Sequence, residues 1–309
     1  IATDPSDASG TLLYDVVAGR WSAEAINWTG VDRSLLPEVR GSSDPAGTVT
    51  FDSGLTAPAV VGGADTACAM AGIGLRVGSG FIAVGTGSQT VSVLDSPSLD
   101  TSLVTHTFAT LGAIGAGWYR IGAVQNAGLS LTKALAWLGA DITEAVEALR
   151  LGIRVSDPIF VPYLAGERTP FMDASLRGAW AELSLATDRP AMLRSILEGV
   201  AQAVALGVQA VEATGARLPT IVPIVGGGTH DPAFRQFLAN ATGHVLGVTD
   251  APNAAVIGAA LLAQGRTCAE QPAEVSSVVE PEQAAWDLLT ERRERMVALV
   301  RTQEPREHP

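Results

Sequence analysis

The sequence predicts an α/β protein. Short apolar runs of strand length end in glycine turns near residues 62, 85 and 226. Segments with helical periodicity alternate with these runs. Small residues are abundant, with 33 glycines and only 5% aromatics among 309 residues. That mix suits close helix–sheet packing and tight loops.

Residues 58–61 read as a short apolar strand that runs into Gly62-Gly63-Ala64-Asp65 and then a small-residue helix to about Gly74. Residues 81–84 form a second strand, closed by Gly85-Thr86-Gly87-Ser88, and residues 90–94 continue as strand. Asn126 is expected to cap a helix ending at Gly139, with Leu131, Leu135 and Leu138 on one face. The strongest helical signal begins near Pro190, where Leu193, Leu197, Val200, Val204, Val208 and Val211 repeat at helical steps. Residues 220–225 are an apolar strand ending in Gly226-Gly227-Gly228. Asp231 and Pro232 are an N-cap and first helical residue for a helix to about Thr242, stopped by Gly243. Residues 245–248 form a further strand, and a small-residue helix over 254–264 starts near Asn253 and stops at Gly265. A last helix over 282–300 is expected to bury Trp286, Leu289, Met296, Val297 and Val300. The polar tail over 301–309 is expected to fray.

The 31.8 kDa chain is 47% hydrophobic and 17% charged, enough for a large core divided into two domains or lobes. Twenty basic and 32 acidic residues give a net charge of -12 and a pI near 4.7. Such a surface repels phosphate backbones and anionic lipid, so neither a nucleic-acid nor a membrane partner is expected. Cys68 and Cys268 are far apart, which fits neither a disulfide framework nor a zinc pattern. A reducing, cytoplasmic setting is the plain expectation. The apolar stretch over 58–74 is broken by glycines and Asp65, and no stretch reads as approaching the roughly 20 residues of a membrane span. No signal peptide is read; the first residues are Ile-Ala-Thr-Asp rather than Met, so a preceding segment is expected.

Glycine after a strand lets the backbone turn sharply and lets a ligand approach bare N–H groups. A helix N-terminus behind such a turn adds favourable potential for phosphate. Neither standard nucleotide motif is present: there is no P-loop, and Gly72-Ile73-Gly74 meets Val77 at the third glycine position. Asp65 has two readings. It is an N-cap, or a carboxylate at a strand end where ligands collect, accepting a proton from a hydroxyl that attacks a phosphoryl group. Asp4 and Asp7 lie among turn formers in residues 3–10. They hold a magnesium ion or a sugar hydroxyl, or form an Asx turn, which is the favoured reading. Glu167 and Arg168 form a polar pair in an apolar, proline-bounded loop, read as a buried ion pair at a lobe interface in preference to catalysis. His106, His230, His244 and His308 have no partner at ligand spacing, so no metal-ligating set is assigned. No Gly-x-Ser-x-Gly elbow occurs.

Four stretches together resemble the FGGY carbohydrate kinases, and within them the xylulokinase branch. They are residues 3–10 (Thr-Asp-Pro-Ser-Asp-Ala-Ser-Gly), Gly62-Gly63-Ala64-Asp65-Thr66-Ala67, residues 162–170 followed by Arg177-Gly178-Ala179, and Val225-Gly226-Gly227-Gly228 with residues 234–239. The similarity runs to about Gln264. The chain departs from the family pattern at Thr66, where asparagine is usual, at Gly87-Ser88, where the order is usually reversed, and at Glu182 and Ala191. The resemblance implies a ribonuclease-H/actin-like ATPase fold, with a partial first lobe over residues 1–77 carrying the catalytic Asp and a complete, nucleotide-binding second lobe over 78–309, onto which the last helix packs back. It implies ATP with Mg²⁺, and a sugar substrate. D-xylulose, converted to D-xylulose 5-phosphate, is the first choice; gluconate, ribulose and glycerol are alternatives, as is a non-catalytic nucleotide-binding module of the same fold.

By the same resemblance, Asp65 is the catalytic base. Gly85, Thr86 and Gly87 form a phosphate loop, Gly128 approaches the phosphates, and Gly226, Gly227 and Gly228 lie against adenosine. Asp4, Asp7 and Asp65 are the expected sugar contacts. An upstream half-lobe with an Asp-x-Gly-Thr turn has no match in these residues. The chain alone is therefore expected to have little kinase activity, and its exposed strand edges suggest a homodimer.

Overall fold

A computed structural model describes residues 1–249 and 251–303. The expected fraying of the final tail, and His308, fall outside the described residues beyond position 303. The chain opens with small elements. These are strand β1 (Ala2–Thr3), helix α1 (Pro5–Gly10), the hairpin β2 (Tyr14–Asp15) and β3 (Arg20–Trp21), helix α2 (Ala23–Thr29), and β4 (Glu38–Val39), which pairs parallel with β1. Strands β5 (Pro45–Thr50) and β6 (Thr56–Val60) pair only with each other.

The strand expected over 58–61 therefore exists, one or two residues early, but in a ribbon apart from the main sheet. Pro58 has no N–H to donate, and a central strand would need one. Helix α3 (Asp65–Ile73) follows and ends at Gly74, which holds a left-handed φ of 80°.

Four strands then build one half of a large sheet: β7 (Gly80–Val84), β8 (Ser88–Leu94), β9 (His106–Ala109) and β10 (Trp118–Val124). Helices α4 (Gly128–Trp137) and α5 (Ile142–Arg150), the pair β11 (Ile159–Val161) and β12 (Ala179–Ala181), and the long helix α6 (Arg189–Ala213) come next. The chain continues through β13 (Ile221–Val225), α7 (Pro232–Thr242), β14 (Val245–Thr249), α8 (Ala254–Ala263), β15 (Val275–Val279) and α9 (Gln283–Arg301). The seven-stranded order is β15-β14-β13-β7-β8-β10-β9. Strands β7, β13 and β14 are mutually parallel, and the outer ones add antiparallel.

Helix α6 is the axis of the core. It packs on β8, β10, β11 and helices α4, α5 and α7. By length and composition its 25 residues are apolar enough to cross a membrane, which corrects the expectation that no segment is; 94% of the qualifying window is buried inside the protein. Asp188 caps it, accepting from the Ala191 N–H at 2.8 Å. Asp231 caps α7 as expected, accepting from the Ala233 and Phe234 N–H groups.

The expected face of α9 is corrected. Leu289, Met296 and Val300 are buried, but Trp286 is 37% exposed, while Arg292 and Arg293 are buried. The guanidinium of Arg292 is neutralised by Glu198 and ringed by four carbonyls, which makes its burial tolerable.

Helices α3 and α8 meet almost backbone to backbone. A Cβ on Gly258 would lie 1.9 Å from the Cys68 carbonyl oxygen, and one on Gly72 would lie 2.1 Å from that of Ala254. Only glycine permits this approach. The contact fixes α3, and with it Asp65, against the second half of the chain.

Candidate functional site

The site forms where β7 and β13 end side by side. Gly226 has a φ of 102°, and a Cβ there would stand 2.5 Å from the Val84 carbonyl oxygen. Glycine thus lets the two strand ends touch. Past β7, the Gly85 N–H donates to the Gly87 carbonyl at 2.8 Å, closing a tight turn into β8. Helix α4 begins against that turn: the Gly128 N–H donates to the Gly85 carbonyl, and the Leu129 N–H to the Thr86 carbonyl, each at 2.9 Å. These first amides of α4 are used within the protein and are not open to a phosphate. A Cβ at Gly128 would lie 2.6 Å from the Gly85 oxygen, so the glycine sets the turn's position. Gly128→Ala is expected to cost about 1–3 kcal/mol of overpacking strain, read as a lowered midpoint in urea denaturation.

Asn126 does not cap α4; Ala127 stands at that position. The Asn126 side chain is instead buried. It donates to the Gly166 carbonyl and to Glu167, and its Oδ1 accepts from Ser130 Oγ at 2.9 Å.

Three cavities adjoin along this edge. The largest, 940 Å³, is bounded by Gly85, Thr86, Gly128, Gly227 and Gly228 and backed by apolar side chains of α4 and α5 such as Leu135 and Val146. A second, of 500 Å³, is lined by residues 85–89, Gln125, Leu129 and Arg168. A third, of 190 Å³, holds Asp65 with Thr66, Phe81, Gln89 and Val225. The first two share Gly85, Thr86 and Leu129, and the second and third share Ala83 and Gln89. The cavities therefore adjoin in a row, forming a segmented trough from Asp65 past the Gly85 turn to Gly227.

Helix α5 was missed in the sequence, although Ile142, Val146 and Leu149 step along one face and signal it.

Asp65 is exposed to this trough as the first residue of α3; Ala64 occupies the N-cap position. Its Oδ1 accepts from the Thr66 N–H at 2.6 Å and from Thr66 Oγ1 at 3.2 Å. Among the described residues, no donor reaches its Oδ2. The backbone just before it is held from behind: the Ala64 N–H donates to Ser6 Oγ at 2.9 Å, and that hydroxyl donates to Asp4.

Asp4 itself is 1% exposed. Its carboxylate accepts from the Asp7 N–H at 2.9 Å and from Ser42 Oγ at 2.6 Å, besides Ser6, and it caps α1. The turn reading of Asp4 holds, and the carboxylate lies behind the trough with its oxygens already occupied. Asp7 is exposed and accepts only a 3.3 Å bond from Thr3 Oγ1. No group of three or more His, Cys, Asp or Glu gathers among the described residues. Asp4→Ala is expected to cost about 2–3 kcal/mol, since it strands two buried hydroxyls and uncaps α1; thermal unfolding checks it.

The expected Glu167–Arg168 ion pair is corrected. Glu167 is 3% exposed and accepts from the N–H groups of Gln125, Asn126 and Arg168 and from Asn126 Nδ2. Burial pushes its carboxyl up from the ordinary value, against the opposing pull of these donors. Four N–H groups satisfy the carboxylate, so the Arg168 side chain is left exposed and turned to the trough.

The fold is that of the actin-like ATPases. The structure superposes on a xyloylose kinase from Brucella ovis with a TM-score of 0.84 and 26% identity, over 97% of this chain and 65% of that one. A Plasmodium falciparum glycerol kinase with ADP gives 0.82 and 20%, over 97% and 63%. Residues 80–264 match the C-terminal domain, and residues 1–72 the N-terminal domain, of the FGGY family of carbohydrate kinases, and the chain belongs to that family. Its relatives include the xylulose kinase of Escherichia coli, 28% identical over 272 residues, which are 85% of this chain and 56% of that protein. The chain thus spans about half the length of the curated relatives it matches.

Proposed function

We propose that these residues belong to an ATP-dependent sugar kinase that converts D-xylulose to D-xylulose 5-phosphate. The observation that carries this is the row of adjoining cavities that leads from a solvent-facing carboxylate to two glycine turns and an apolar cavity. A planar purine suits the apolar cavity between α4, α5 and α7. The Gly85 and Gly227 turns then border the phosphates, and the terminal phosphoryl group points along the trough towards Asp65.

Asp65 works as the base. Thr66 holds Oδ1, which leaves Oδ2 for the sugar hydroxyl. The hydroxyl proton passes to the carboxylate as its oxygen forms a bond to the γ-phosphorus. The bond to the β–γ bridging oxygen breaks, and ADP leaves. The described residues gather no acidic cluster for Mg²⁺, so we assign no ligand to it and no step through it. We assign residues 1–77 to the first lobe, with Asp65, and 78–309 to the second, with the nucleotide.

The name carried by the Escherichia coli relative supports xylulose. The Plasmodium falciparum structure supports ADP as a ligand and also keeps glycerol in view. The test is ADP release by the full-length protein with ATP and a panel of D-xylulose, ribulose, gluconate and glycerol. Turnover led by xylulose supports the reading. Turnover led by another polyol replaces the substrate, and no turnover with any of them overturns the kinase.

A further inference from the structure

We propose that Arg168 is a catalytic residue that grips the phosphoryl group during transfer; this rests on the kinase reading above. Its side chain lines the middle cavity, the one that joins the Asp65 end of the trough to the Gly85 turn. Any group passed from a nucleotide at the glycine turns to an acceptor at Asp65 crosses this space. Among the described residues, Arg168 is the only cation on its wall.

Among the described residues it has no carboxylate partner. The other two cations on the trough are engaged: Arg150 pairs with Glu147 and Asp231, and Lys133 lies 5.8 Å over the Trp137 ring.

The backbone around Arg168 is braced. Its N–H donates to Glu167 Oε1 at 2.8 Å, and its carbonyl accepts from the Met172 N–H. The next residue, Thr169, donates its N–H to the Ala123 carbonyl and accepts the Ala123 N–H on its hydroxyl, at 3.1 and 3.0 Å. Thr169 Oγ1 also donates to the Val104 carbonyl at 2.6 Å. Glu167 binds the Gln125 and Asn126 amides at the same time, so the arginine and the turn into α4 share one anchor. A guanidinium on such a mount offers a fixed fork to phosphoryl oxygens. It takes no proton in the step. It meets the charge that grows on the equatorial oxygens as the sugar–phosphorus bond forms and the bond to ADP breaks.

The test uses the full-length protein with R168Q and R168K. We expect R168Q to lower kcat by about 10²–10³-fold. The KM for sugar stays within about twofold and the melting temperature is unchanged. Affinity for a non-hydrolysable ATP analogue falls while affinity for ADP holds, and R168K recovers part of the loss. Unimpaired kcat in R168Q, or equal losses for ADP and the ATP analogue, overturns the assignment while leaving the kinase intact. A wild type inactive on every sugar overturns the kinase reading and this one together.

Discussion

Asp65→Asn is expected to reduce sugar phosphorylation by about 10²–10⁴-fold while leaving nucleotide affinity nearly unchanged. The substitution keeps the size of the side chain and its contact with Thr66 Oγ1, and it removes the base. Asp65 faces only the smallest of the three cavities, away from the glycine turns that border the nucleotide in our assignment. Binding and chemistry are thereby separable. A coupled ADP-release assay and a nucleotide titration on the full-length variant read the two effects. Turnover within tenfold of the parent refutes the role of Asp65.

Arg292→Met is expected to destabilise the fold by about 3–5 kcal/mol, the scale for breaking a buried ion pair from one side. Arg292 and Glu198 are both nearly inaccessible, at 0% and 5% side-chain exposure. The guanidinium Nη2 donates to Glu198 at 2.7 Å and to the Pro158 carbonyl at 3.1 Å, and Nη1 reaches the carbonyls of Arg154, Val155 and Asp157. One side chain of α9 thus holds both α6 and the loop before β11. The single change leaves a carboxylate and four carbonyls without their donor. Replacing Glu198 by Leu in the same chain removes the stranded charge but not the four orphaned carbonyls, and is expected to recover part of the loss. Urea denaturation of the single and double variants checks this. A loss below about 1 kcal/mol in Arg292→Met contradicts it.

Much of the sheet and helix order was legible because it rests on local signals. Asp231-Pro232 and Gly243 bracket α7 by capping chemistry, and α6 declares itself through its period. What escaped depends on partners distant in sequence. Strand β10 carries Arg120 in its middle, fully buried, and so breaks the apolar alternation that marks a strand. Arg120 is tolerated there because Thr105 Oγ1 and the Ser98 carbonyl accept from it, which no local pattern reveals. The same holds at the site. Asp65 stood out as an acid after two glycines. Asp4, for which a turn role was the favoured reading, has its oxygens engaged by Ser6 and by the distant Ser42, which no local pattern reveals. Neighbouring opposite charges suggested a Glu167–Arg168 pair, but backbone amides 41 and 42 residues away in sequence claimed the carboxylate.

The meeting of α3 with α8 ties two remote positions into a single heritable unit. Gly72 and Gly258 are spacers whose value is what they lack, and a methyl group on either would overlap a backbone carbonyl of the facing helix and force the two apart. Enlarging one of them must move a whole helix or lose the other's grip. The height at which an acid stands above the floor of its trough is therefore governed by hydrogen atoms on glycines several turns away.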